Sequence, residues 1–322
     1  MNKLIFVLVV SLGSVLIGYL LRRLRLFVSR SGIDRAQSVS KAIKLISMFV
    51  LNPITILDSF WRLPLSSRGL LLLPPLGLLL LAVGAAGALV FNRLFKIPPE
   101  RAASVFVSGM FTNIVSFGGL TAFVFFGYQG YGLVMLFNMF ISFAYYAVGF
   151  PVSERIARNE RNPFAISPKL LRDRPYLFIP LAAIAVGLAL NLTHVRALPW
   201  LGGLSSFLVS FIAAILGLAI GMTLHFGKMR RYRREILVIV AIKFILIPAV
   251  MIPLGLMIGL QHYLGGLPFR VLCIISFMPV AFNSLVPPAL YDFDLDLANS
   301  GWIVTTFALV IVLPALYFAL AR

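Results

Sequence analysis

Residues 278–288 read MPVAFNSLVPP and sit inside an apolar run long enough to cross a bilayer. Three prolines and an asparagine within eleven residues are incompatible with an unbroken helix, because each internal proline removes a backbone donor and clashes with the preceding turn. The helix is expected to open here, with Pro279, Pro287 and Pro288 as its breakers. Irregular backbone at membrane depth persists only where protein or a watery cavity satisfies the freed polar groups. The stretch therefore predicts a buried polar site, and a transporter is the reading that follows.

Residues 110–120, MFTNIVSFGGL, repeat the pattern with Asn113 followed by the helix-weakening pair Gly118-Gly119. Asn113 and Asn283 are 170 residues apart, and each precedes a doubled breaker by at most six residues. Such spacing marks an internal repeat. The same offset carries a first helix starting near Leu4 onto a sixth starting near Arg174-Pro175, and a fourth onto a ninth.

The chain has 322 residues, 61% of them hydrophobic and 12% charged, with a mean hydropathy of +1.00. That composition belongs to an integral membrane protein rather than a soluble domain. The net charge of +18 does not point to nucleic acid, since the basic residues fall in short loops between apolar spans. Lys3 ahead of an apolar run resembles a signal peptide, but Arg22, Arg23 and Arg25 follow and no small-residue cleavage site does, so a retained first helix is expected. Ten spans are predicted, at 3–22, 37–61, 69–92, 101–126, 130–153, 175–193, 199–226, 234–261, 268–291 and 297–320. The fold class is all-α, ten transmembrane helices in two five-helix repeats, with broken helices 4 and 9 crossing. Five is odd, so the second repeat enters from the opposite face and the two are inverted. The organisation is 1–153, a cytoplasmic linker at 154–174 containing Pro163 and Pro168, and 175–322.

Loops after odd-numbered helices hold twenty Lys and Arg, among them Arg30, Arg35, Lys41, Arg93, Lys169, Arg172, Lys228 and Arg234; the other side holds six. Basic loops stay cytoplasmic, which places both termini outside the plasma (inner) membrane.

Two inverted broken helices point half-helix N-termini, with their free amides and partial positive charge, at one spot. Asn113 and Asn283 supply donors and acceptors there without charge; the alternative is that they only cap opened backbone. In the second helix Asn52 precedes Pro53, and Thr55 lies one turn beyond; Asn52 either binds or satisfies a carbonyl freed by the kink. In the fifth, Asn138, Ser142 and Tyr145 share a face while Tyr146 points elsewhere, and they either line the crossing or bond between helices. Lys243, nine residues past Arg234, lies about 13 Å along a helix at ~1.5 Å per residue. An ionisable residue at that depth is a functional candidate, with snorkelling as the alternative.

No carboxylate falls at a span centre, which argues against a proton relay. Asp58 is nearest, beside Trp61 as an interfacial anchor. Asp292, Asp294 and Asp296 alternate like the start of a calcium loop, but Leu297 stands where glycine is needed and Ile303 where glutamate is, so no metal is expected. Cys273 is the single cysteine, and His194, His225 and His262 fall near helix ends without metal-ligand spacing. No cofactor is implied. The pairs Gly217/Gly221 and Gly255/Gly259 allow close helix packing, within the chain or across a homodimer seam.

The stretch 278–317, MPVAFNSLVPPALYDFDLDLANSGWIVTTFALVIVLPALY, resembles the closing helices of the auxin efflux carrier family. Phe111-Thr112-Asn113 through Gly118, with Phe126-Gly127 and Gly130, is similar to its fourth helix, and Lys243-Phe244 through Pro248-Ala249-Val250 to its eighth. The resemblance implies two inverted halves, each with a scaffold and a transport part, elevator-like motion, an organic-anion substrate and often a dimer. It implies substrate contact for Asn113, Asn283, Tyr145 and Thr55. The chain departs from the family with Leu120 where proline is usual, and with Asn52 where an apolar residue is common. A sodium-coupled bile-acid-type symporter is the alternative in the same architecture, and a membrane-embedded ligand sensor the alternative of another class. An enzyme is not expected, because no HExxH and no mid-membrane aspartate pair is present.

Overall fold

The computed structural model describes residues 2–24, 35–62, 68–162, 178–223 and 229–320. Several expectations lie outside these residues: loop cations Arg25, Arg30, Lys169, Arg172, Arg174 and Lys228, the linker prolines Pro163 and Pro168, the repeat start at Arg174-Pro175, and His225. The described residues are helical. The helices are α1 (Asn2–Arg23), α2 (Ala36–Ile46), α3 (Asn52–Trp61), α4 (Leu73–Leu94), α5 (Pro99–Met110), α6 (Leu120–Phe137), α7 (Ile141–Ala144), α8 (Phe150–Ala157), α9 (Phe178–Leu192), α10 (Pro199–Thr223), α11 (Arg233–Ala241), α12 (Ile247–Met257), α13 (Leu267–Ser276), α14 (Val286–Tyr291) and α15 (Leu295–Leu320). Among the described residues, five stretches are long and apolar enough to cross a membrane: Ala36–Asp58, Leu70–Leu94, Gln129–Ala157, Arg230–Met257 and Leu295–Leu320; the third begins within α6, past a break at the non-helical Gly127.

Proline explains much of this segmentation. Helices α4, α5, α13 and α14 carry proline in their first turn, where its missing N–H is not needed and its fixed φ suits the helix. Of the prolines deeper in long helices, three are preceded by a widened π turn: Ser47–Leu51 before Pro53, Tyr145–Gly149 before Pro151, and Ile242–Leu246 before Pro248; Pro253 and Pro314 are not. A π turn moves the preceding carbonyls away from the pyrrolidine ring. The helix therefore continues through Pro53, and α2 and α3 run on as one element.

Two groups of helices form. Helices α1, α2, α3, α9 and α10 pack chiefly on one another, and α4–α6, α8 and α11–α15 on one another. In the first group, Gly18 on α1 faces the Leu218 carbonyl and Gly221 on α10 faces the Val15 carbonyl so closely that a Cβ at either position would overlap backbone. Gly221 and Gly255 thus serve packing within the chain, Gly255 lying against Phe269 and Leu272 of α13. The second group holds most of the apolar core, including fully buried Phe106, Phe111, Phe150 and Trp302.

Candidate functional site at the crossing

Helix α5 ends at Met110, and the chain runs extended through Phe111 before a π turn, Ile114–Gly119, leads into α6. Helix α13 ends at Ser276, passes extended Ala281, and restarts through a 3-10 turn, Phe282–Leu285, into α14. The two open segments cross as an antiparallel bridge between Thr112 and Val280. Asn113 N–H donates to the Pro279 carbonyl at 2.9 Å, and Ala281 N–H donates to Phe111 at 3.0 Å.

The remaining opened peptides are satisfied by side chains from neighbouring helices, as buried polar backbone requires. Tyr145 Oη accepts from Thr112 N–H (3.0 Å) and donates to the Thr112 carbonyl (2.9 Å). Thr305 Oγ1 accepts from Val280 N–H at 3.3 Å. Lys243, fully buried, donates to the carbonyls of Gly109 (2.7 Å) and Phe111 (3.1 Å) and to Thr112 Oγ1 (2.7 Å). It caps the C-terminal end of α5 from the π turn Ile242–Leu246 and does not snorkel.

The breaks fall earlier than the sequence reading places them. Gly118 and Gly119 lie within the π turn, not at the opening; a Cβ on Gly118 would press on Met278 Cγ at 3.2 Å, so Gly118 makes room for the end of the other half-helix. Pro287 and Pro288 start α14 and break nothing. Of the five breakers, Pro279 alone stands in the open segment, where its carbonyl takes one rung of the bridge.

A cavity of about 470 Å³ opens beside the crossing, and Asn52, Thr55, Asn113, Asn138, Tyr145 and Asn283 all line it, with Ser142. These six were the expected binding residues, and the fold brings them together. Asn113 is buried; its Oδ1 accepts from Phe117 N–H at 3.3 Å, capping the π turn, while its Nδ2 has no partner. Val115 and Ser116 also line the cavity, and they belong to the first turn after the break, where amides lack intrahelical acceptors. Thr55 Oγ1 donates to the Asn52 carbonyl at 2.9 Å. Tyr145 presents its ring, stacked on Phe111 with centroids 4.0 Å apart, because its hydroxyl is committed to Thr112. Lys243 does not line the cavity; it stands behind Thr112, which does.

Sequence reasoning missed Tyr146. It lines the cavity with a buried hydroxyl that has no partner, although a 3.6-residue period turns it away from Tyr145. Sequence reasoning also missed the rim, where Asp58 and Arg62, one turn apart on α3, pair at 2.6 Å and Arg62 donates to the Leu198 carbonyl at 2.5 Å. Asp294, from the rejected calcium pattern, caps α15 by accepting from Leu297 N–H at 3.0 Å and pairs with Arg101 at 3.6 Å.

No family model matches the chain. The chain is 28% identical over 236 residues to an uncharacterized transporter of Methanocaldococcus jannaschii, a match spanning 72% of this chain and 73% of that protein. With five membrane-length apolar helices, this similarity supports a multi-pass membrane protein with a transporter function.

Proposed function

We propose that the chain is a secondary transporter that exports a small organic anion bearing a carboxylate, with its substrate at the crossing of the two broken helices. The observation that carries the reading is Asn113, which lines the cavity and whose buried Nδ2 donor has no partner, beside first-turn backbone amides that also need an acceptor. A carboxylate supplies several acceptor sites, and a donor-rich wall whose carboxylate, Asp58, is paired with Arg62 suits it. An outward-directed anion moves with the membrane potential.

In this reading the helices form ten spans in two inverted repeats, both termini face outward from the inner membrane, and the likeness to the auxin efflux carrier family is one of descent. The separation into two helix groups supports an elevator-type mechanism, in which the group carrying the crossing slides against the group built on α1 and α10. The test is counterflow in proteoliposomes against a panel of carboxylates, with neutral amides of the same acids as controls. Saturable exchange of at least one carboxylate and none of the amides is expected. Exchange of the amides alone, or of neither class, overturns the anion reading.

A further inference from the structure

One face of the α2–α3 element is polar along its length although it is buried. Ser40, Lys44 and Ser47 follow one another at helical spacing in its first half, and residues three and four apart share a face. Thr55 and Asp58 continue the buried polar set beyond the π turn Ser47–Leu51. The two halves differ in access. Asn52, Thr55 and Asp58 line the cavity, whereas Ser40, Lys44 and Ser47 do not. On the facing helix α10 the cavity wall extends down to Leu216, and Ser40 Oγ donates to the Ala219 carbonyl, nearly one turn past it, at 2.8 Å. The polar face thus runs on beneath the cavity floor.

In that sealed half, Lys44 is fully buried and its Nζ has no hydrogen-bond partner; Ser47 Oγ, three residues on, has none either. A lysine head has donors and no acceptor role when charged, and leaving it unpaired in the interior is among the costlier arrangements a protein keeps. Lys243, equally buried, has three acceptors, so enclosed lysines in this fold are not unpaired as a rule. An arrangement kept at such a cost points to a second conformation in which the donors are used.

We propose that Ser40, Lys44 and Ser47 line the other half of the substrate path, closed in this conformation, and that Lys44 contacts the anion once the path opens on that side. The proposal rests on the transport reading above and adds to it a second anion contact, about 12 Å from Asn52 at 1.5 Å per residue along the helix. With both termini outside, α2 enters from the cytoplasmic side, so an exported anion meets the formal positive charge of Lys44 first and passes from it to the amide-lined cavity.

The path can be tested without knowing the substrate, using 2-sulfonatoethyl methanethiosulfonate, a small anionic thiol reagent, on membrane vesicles carrying Ser47→Cys in a Cys273→Ser background. Thr55→Cys serves as the cavity-side reference. Ser47→Cys is expected to react, and Lys44→Met to slow that reaction about tenfold, the effect of a unit charge roughly 6 Å away at an effective dielectric constant near 40. Lys44→Arg, which keeps the charge, should retain the rate and so shows that slowing does not come from misfolding. An inert Ser47→Cys beside a reactive Thr55→Cys overturns the path, and equal rates with Lys44→Met and the native lysine overturn the anion contact. Failure of the wild-type protein to exchange any carboxylate sinks the transport reading instead, and the labelling result stands apart from it.

Discussion

Asn113 and Lys243 show how much one buried side chain can settle. Asn113 has one half of its amide on the protein and the other half unused. Asn113→Ala is expected to weaken carboxylate binding roughly ten- to a hundredfold, since a hydrogen bond to a charged group contributes on the order of 1.5–3 kcal/mol. Asn283→Ala should follow it. Thermal melting of both variants against binding of the counterflow substrate checks this: normal affinity in a destabilised protein assigns the asparagines to capping alone. Lys243→Met behaves differently. It leaves the Gly109 carbonyl without a donor, while the Phe111 carbonyl keeps Ala281 N–H, so a stability loss of about 1–3 kcal/mol is expected from one buried acceptor, read as a lower melting temperature. Asparagine was legible in the sequence as a marker of the break, because an amide amid apolar residues either binds or caps opened backbone, and Asn113 lies there with one half of its amide on Phe117. Lys243 was legible as unusual but not as a cap, because its three acceptors come from a segment 130 or more residues away.

Among elements, the crossing was readable and its fine position was not. Clusters of Asn, Gly and Pro announce that a helix opens, but not at which peptide, and the paired prolines prove to start α14 because a first turn has no use for their missing donors. The π turns left no trace in a 3.6-residue period, which is why the continuous course of α2–α3 through Pro53 needed the fold. The α1–α10 contact was half legible: the glycine spacing showed that something packs closely, while its partner, backbone of α1 facing backbone of α10, needed the fold. There Gly221→Val is expected to abolish accumulation of folded protein, because the Val15 carbonyl cannot yield as a side chain does. Gly203→Ala, on the same helix with open space around it, should accumulate normally. Detergent-solubilised yield by fluorescence size exclusion reads both.

For the whole molecule, charge and ion dependence are the accessible tests. From twenty basic residues against six and the bias of cytoplasmic loops we propose that the C-terminus lies outside; a periplasmically active reporter fused after Arg322 should then be active, and cytoplasmic activity would reverse the orientation. Transport is expected to persist when sodium is replaced by potassium, because the carboxylate on the cavity wall, Asp58, is already paired with Arg62 and is not left to complete a hard-cation site; flux that collapses in potassium would establish the symporter alternative. The bridge between Thr112 and Val280 also sets a clock. Its two rungs tie residues far apart in sequence, so the amides of Asn113 and Ala281 are released to solvent deuterium only when the halves of the molecule part, whereas those of Val115 and Ser116, a few ångströms away on the cavity wall, have no such tie. Protection should therefore change abruptly between neighbouring residues, and the slow pair reports the opening free energy of the whole crossing.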